Sequence, residues 1–221
     1  MKVAVMQPYF FPYLGYFQLL HSVDVFVFFD CVQFPRRGWV HRNKFTLKSG
    51  EVDWLTLPII KGSRDETRIM DLKFKENSVE ILKSQFENTQ IFESLKNLPE
   101  LYQLILNARE DVSSYLCSNI AFLCQKLGIE AQFFRSSMFD IPLELKGQDK
   151  ILFILRELGA GTYLNLSGGA KLYSPRDFEL RDIDLQILDP YGGPRISVLE
   201  RFIKEGADSL REELRDIQAS R

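Results

Sequence analysis

Cysteine and histidine are scarce in this chain, with three of the first and two of the second in 221 residues. Three irregularly spaced thiols do not make a disulfide framework. With only two imidazoles beside them, they do not supply the ligand spacing of a zinc site, so no metal is expected. Cys117 and Cys124 share an expected helix face and read as small buried hydrophobes. Basic excess is absent too: 28 Lys and Arg stand against 30 Asp and Glu, for a formal net charge of −2, which argues against a general nucleic-acid binder. Long apolar runs are missing. The strongest, Val25 to Phe29, has strand length and is too short to span a bilayer. Lys2 is followed by a short apolar stretch that stops at Gln7-Pro8, so no secretory leader is expected and the expected location is the cytoplasm.

The remaining composition, 45% hydrophobic and 26% charged, is that of a globular protein able to bury one sizeable core. Lys2 to Gln7 and Val23 to Phe29 read as buried strands. Between them the spacing of Leu14, Phe17 and Leu20 predicts a short helix. Strand, helix and strand in so little chain form a right-handed parallel βαβ unit, and continuously apolar strands suit a sheet covered on both faces. Lys44 to Lys48 and Asp53 to Ile60 read as paired extended segments around Ser49-Gly50-Glu51, and Ile69 to Phe74 as a further strand. Asn77 to Leu106 is helical with a break at Leu98-Pro99. Ser113 or Ser114 caps the next helix, which Gly128 ends. Gln132 to Arg135, Thr162 to Asn165 and Leu185 to Leu188 are strands, and a helix opens at Lys146 to Lys150. Val198 to Ile217 is a charged helix. The expectation is one α/β domain over residues 1–221, with a mainly parallel sheet and a helical insertion over about 77–128.

In such sheets ligands bind beyond the carboxyl ends of the strands. Gln7-Pro8-Tyr9 and Asp30-Cys31 both follow strands. Asp30 to Asn43, DCVQFPRRGWVHRN, is the densest cluster of polar groups in the chain. Asp30 is the first candidate for an acid, a base or an amine anchor, or else a structural cap. Arg42 offers a planar fork to phosphate or carboxylate, with Asn43 beside it. Trp39 and Tyr9 offer rings to a sugar or base. Cys31 and His41 form a weaker thiolate–imidazole candidate pair for an acyl thioester. Ser167-Gly168-Gly169, a glycine turn after a strand with Lys171 close by, can cradle an oxyanion. Gln148 and Asp149 either cap a helix or face the crevice. Lys61, Arg64 and Arg68 are either an anion-binding loop or a solvated tip.

Four blocks, MQPYFFPYLGYFQLL, DCVQFPRRGWVHRN, KGQDKILFILRELGA and TYLNLSGGAKLY, together resemble the WbqC-like family of bacterial proteins over nearly the whole chain. The family's characteristic positions correspond to Gln7, Pro8, Tyr9, Pro12, Gly15, Tyr16, Asp30, Trp39, Arg42, Asn43, Gly147, Gln148, Asp149, Asn165, Gly168, Gly169 and Tyr173. This adds Tyr16, Asn165 and Tyr173 to the expected substrate site. The resemblance implies a role in surface-polysaccharide (O-antigen) biosynthesis, with acyl or aminoacyl (glycyl) transfer to a nucleotide-linked amino sugar. It implies a small-molecule substrate, a possible homodimer, and no nucleic-acid partner. Cys31 and His41 stand where the family usually has other polar residues, so a family-wide mechanism through that pair is not implied.

Tyr13-Leu14-Gly15-Tyr16 after the first strand also resembles a degenerate HxGH signature of nucleotidyl transferases and pantothenate-synthetase-like ligases. That likeness implies a Rossmann-like (HUP-like) three-layer sandwich. As an alternative chemistry it implies ATP with magnesium and an acyl-adenylate. Tyrosine is a neutral donor and lacks the cationic stabilisation of histidine. A non-catalytic binding protein of the same pathway is the remaining alternative.

Overall fold

The computed structural model describes residues 1–60, 62–63, 66–109 and 111–219, so Lys61 and Arg64 of the expected anion loop lie outside the described residues. β1 (Lys2–Met6), α1 (Leu14–His21) and β2 (Val25–Phe28) form the expected parallel βαβ unit, with Val3 opposite Val25 and Met6 opposite Phe28. A separate antiparallel hairpin follows, β3 (Arg42–Thr46) with β4 (Val52–Thr56). Four helices come next: α2 (Ser78–Glu87), α3 (Phe92–Lys96), α4 (Pro99–Leu106) and α5 (Val112–Leu127). The chain then returns to the central sheet with β5 (Gln132–Arg135), crosses through α6 (Gln148–Leu158) to β6 (Thr162–Leu166), and passes α7 (Pro175–Glu179) to β7 (Asp184–Leu188). It closes with α8 (Val198–Glu205) and α9 (Ala207–Ala219).

The central sheet has five parallel strands in the order β5-β2-β1-β6-β7. Alternation along the strands divides two cores. Val3, Val5, Val25, Val27 and Tyr163 face Ile151, Leu152, Ile154 and Leu155 of α6 and Phe178 of α7. Ala4, Phe26, Phe28 and Leu164 face the other way, onto α1, α5 and the last two helices. The result is a Rossmann-like three-layer α/β fold. Its strand order reverses between β1 and β6, and the crevice at such a reversal is where these folds take ligands. Among the described residues no helix is long and apolar enough to cross a membrane.

Two local expectations are corrected. Ile69 to Phe74 is not a strand. Ile69–Asp71 is a single 3-10 turn, and Phe74 then makes only an isolated bridge to Ile59, with Ile60 N–H donating to Lys73 O at 2.8 Å and Lys75 N–H to Pro58 O at 2.9 Å. The cap of α5 is Asp111, whose carboxylate accepts from the Ser114 amide at 2.7 Å. Ser113 is released to donate its hydroxyl to Asp30 at 2.9 Å.

Asp30 itself is fully buried at the carboxyl end of β2. Besides Ser113 it accepts from Arg135 Nε at 2.9 Å, the Ser136 hydroxyl at 3.0 Å, and the Ser137 amide and hydroxyl, both at 2.9 Å. Five donors saturate both carboxylate oxygens, so this group knots β2 to the end of β5 and to the start of α5. The expectation that Asp30 presents a base or anchor to substrate is corrected on this geometry. Arg68 is likewise committed, forked onto Asp71 at 2.8 and 3.1 Å. On the other side of the fold, Glu200 of α8 is buried. It accepts from the Thr46 amide at 3.0 Å, the Thr46 hydroxyl and Lys204 Nζ, both at 2.6 Å, tying the helix to the hairpin.

Asp30→Asn replaces an acceptor by a donor among donors and is expected to cost about 2–4 kcal/mol, read as a lower urea midpoint with an unchanged slope. Burial alone would raise the Glu200 carboxyl, but the bonds from Lys204 and Thr46 outweigh it and hold the pKa below its ordinary value. Its contribution is therefore present at neutral pH and is lost as pH falls through the glutamate range. Glu200→Gln should be less stable at neutral pH and show a shallower acid limb in thermal unfolding against pH.

Candidate functional site

A cleft of about 700 Å³ opens at the carboxyl ends of β1 and β6, where the strand order reverses. Its first wall is the loop after β1. Phe10 N–H donates to Trp39 O at 3.0 Å, Pro12 O accepts from Val198 N–H at 2.9 Å, and the Ser197 hydroxyl donates to Phe11 O at 3.1 Å. Asn43 is buried, and its amide nitrogen donates to both Phe10 O and Phe11 O. These anchors hold Phe11 at φ +46°, a left-handed conformation that a bulky residue keeps only when its surroundings force it. The turn displays Gln7, Tyr9 and Tyr13 to the cleft. Gln7 has no side-chain partner among the described residues, so its amide is available to a ligand.

The second wall follows β6. Asn165, Ser167, Gly168, Gly169 and Tyr173 line it, and Gly147 and Gln148 at the start of α6 join them. Gly147 sits at φ +49°, ψ −121°, a conformation open essentially to glycine alone. Gln148 Nε2 donates to Asp177 at 2.7 Å while its oxygen accepts from Ser174 N–H at 2.6 Å, clamping the segment after Tyr173 to α6. A Cβ on Gly168 would meet open space, whereas one on Gly169 would stand 2.8 Å from Asn165 Nδ2.

The third wall, Asp189-Pro190-Tyr191 and Arg195, follows β7 and was not expected from the sequence. Its signal was present: DPYGGPR is a glycine- and proline-rich stretch directly after a strand that ends on the same rim. Tyr191 is held by Arg201, whose Nη1 donates to its hydroxyl at 2.8 Å, and by Glu213. A Cβ on Gly15 would stand 2.6 Å from Tyr191 Cβ, so α1 and this wall are in direct contact. Asp189 is the one carboxylate and Arg195 the one cation among the described residues of the cleft, and both are exposed.

Most expected substrate residues meet here: Gln7, Tyr9, Tyr16, Trp39, Gln148, Asn165, Ser167, Gly168, Gly169 and Tyr173, with Asn43 as part of the floor. Trp39 is 43% exposed at the mouth and stands 5.1 Å from Trp54. Tyr16 contributes a buried ring whose hydroxyl donates to Gln7 O at 2.9 Å; burial pushes its pKa well up, and that bond commits its proton to the fold. Asn43 spends its amide on the loop carbonyls, so it acts as a positioning residue. Arg42 does not border the cleft. Its guanidinium lies 4.2 Å from the Trp54 ring and donates to Gly38 O and Arg37 O. Asp149 and Lys171 are exposed and stand outside the lining. Cys31 and His41 do not border it either. Cys31 donates its amide to Ser136 Oγ at 3.0 Å, and His41 lines a separate apolar cavity of about 440 Å³, edge-on to Phe34.

The uncharacterized protein Rv1507c of Mycobacterium tuberculosis (strain ATCC 25618 / H37Rv) is similar to this chain, 39% identical over 62 residues, or 28% of the chain and 26% of that protein. The chain thus matches about a quarter of the length of that curated relative. No solved structure matches the chain significantly. The model of the WbqC-like protein family matches residues 7–196, a span that begins at Gln7 on the first wall and passes Arg195 on the third. With all three walls of the cleft inside that match, the chain belongs to the WbqC-like protein family.

Proposed function

We propose that the cleft binds a nucleotide-linked amino sugar and that the protein is a transferase acylating or aminoacylating its amine. The carrying observation is the cleft at the β1/β6 reversal, with the mix of groups that it assembles. Tyr9, Tyr13, Trp39 and Tyr173 offer rings to a base or sugar. Arg195 and the Ser167–Gly169 turn suit phosphate. Asp189 suits an amine or a sugar hydroxyl. The described lining contains no thiol, imidazole or lysine amine, so the Ser167 hydroxyl has no imidazole or amine base in the described lining to activate it, which favours direct transfer. In that step the sugar amine attacks the carbonyl carbon of the acyl donor. The donor's leaving group departs with its bonding electrons, and Asp189 takes the proton from the amine. The place in surface-polysaccharide assembly rests on the family resemblance alone.

The adenylating alternative is disfavoured by Tyr16. Of the two positions that would carry phosphate-steadying histidines, this one is turned into the fold and bonded to Gln7 O.

A thermal-shift screen with nucleotide-linked sugars, with and without an amino group, and with Mg-ATP and acyl-CoA separates the readings. A ligand at one hundred times its Kd adds about 2.7 kcal/mol of native-state stability. The expected outcome is a rise with the amino-sugar nucleotide. A rise with Mg-ATP alone would replace this reading by the adenylating one, and no rise with any ligand would remove both. Arg195→Ala is expected to weaken the nucleotide-linked ligand by about tenfold or more in calorimetry. Asp189→Asn should bind it and fail to transfer.

A further inference from the structure

We infer that Tyr173 is a fixed hydrogen-bond donor for an anionic oxygen of the ligand, a phosphate oxygen of the nucleotide-linked sugar; this rests on the function proposed above. The inference comes from counting protons. Asn165 Nδ2 donates to Tyr173 Oη at 2.7 Å and to Tyr163 Oη at 3.1 Å, while its Oδ1 accepts from Leu166 N–H at 2.7 Å. Every polar atom of Asn165 is thereby used. The orientation of its amide follows, since a nitrogen at the Leu166 amide would face a donor.

Tyr163 is fully buried and must place its own proton. Burial lifts its pKa well above the usual phenol range, so the proton stays on. Two acceptors are within reach: Tyr173 Oη at 3.1 Å and Val5 O at 3.5 Å, the outer limit for such a bond. The shorter path runs to Tyr173. Tyr173 then accepts from both Asn165 and Tyr163, and both of its lone pairs are taken. Its own proton has no protein acceptor among the described residues, and its ring lines the cleft. That proton is directed at the ligand. Burial also raises the pKa of Tyr173, although the two donors oppose this, so the group is a donor and not a base.

The packing keeps this arrangement rigid. Tyr163 stacks on Phe178 with centroids 5.5 Å apart and planes within 6°, and Tyr173 stands edge-on to both rings. Gly169 leaves room for the Asn165 amide that a Cβ would displace. Gln148 fixes the next residue, Ser174, through its amide. A ligand group at this point must be an acceptor. A phosphate oxygen fits, and an ammonium would face a proton already in place. Tyr173 is thus matched to an oxygen anion of the ligand, whereas Asp189 suits its amine.

The test is calorimetric titration of the full chain with UDP and with inorganic pyrophosphate, using uridine as the phosphate-free control. Tyr173→Phe is expected to weaken UDP and pyrophosphate by about tenfold or more, the range for a bond to a charged group, and to leave uridine affinity unchanged, while the unfolding midpoint falls because the Asn165 amide and the Tyr163 hydroxyl lose their acceptor. Asn165→Ala, which keeps Tyr173 but removes its nearest donor, is expected to weaken pyrophosphate by a few-fold and spare uridine. It carries the test if the first variant does not fold. Wild-type affinity for UDP in Tyr173→Phe, or for pyrophosphate in Asn165→Ala, would overturn the inference alone. An equal loss of uridine and UDP would also overturn it, by making Tyr173 a packing residue. Failure of the wild-type protein to bind either UDP or pyrophosphate would overturn both this inference and the nucleotide part of the proposed function.

Discussion

The double hydrogen bond from the buried Asn43 amide to Phe10 O and Phe11 O is the constraint from which the cleft is built. A phenylalanine in the left-handed region costs about 1–3 kcal/mol, and such residues persist only where the surroundings over-determine them. Here the over-determination comes from two separate parts of the chain: Trp39 and Asn43 at the start of the hairpin, and Ser197 with Val198 at the start of α8. The hairpin is not part of the central sheet, and its purpose in the fold becomes clear from this contact. It holds the loop after β1 in the conformation that displays Gln7 and Tyr9. Glu200, in the first turn of α8, secures the same hairpin from behind.

The cleft is therefore rigid on its β1 and β6 sides for different reasons. On the β1 side, backbone carbonyls are captured by side chains. On the β6 side, side chains capture one another in the Tyr163–Asn165–Tyr173 triangle, with glycine supplying the space. The β7 side depends on an ion network centred on the buried Arg201, which joins Tyr191 to the more exposed Glu205 and Glu213 at 2.6–2.8 Å. Arg201 is the buried member, so the position of this wall is sensitive to changes on α8 and α9 that weaken its pairing.

Much of the fold was legible because strand signals were strong. VFVF is apolar on both faces, and a strand of that kind belongs in the middle of a covered parallel sheet. The position of the cleft followed from the same reasoning, since Gln7 and the Ser167–Gly169 turn both follow strands. What could not be read was the direction of side chains. Asp30 follows β2 as Gln7 follows β1, yet Asp30 turns inward to Ser113, Arg135, Ser136 and Ser137, partners up to 107 residues distant in the chain. Density of polar groups marked Asp30 to Asn43 as chemical, but Asp30 and Asn43 spend those groups on holding the fold. Arg42 was read as an anion fork and is found over Trp54. The DPYGGPR wall was passed over because its charged residues are separated by turn formers and made no cluster.

The sequence has two tryptophans, and the fold places Trp39 at the mouth of the cleft with Trp54 of the hairpin 5.1 Å from it. Neither sits in the central sheet. Tryptophan emission from this protein is thus a local signal. It reports the hairpin and the occupancy of the cleft mouth, and the close pair of indoles with the Arg42 guanidinium over one of them makes it sensitive to small rearrangements there. Unfolding followed by that emission tracks the hairpin, while far-ultraviolet circular dichroism tracks the helices and sheet. A gap between the two curves would measure how independently the rim of the site can open while the sheet beneath it stays folded.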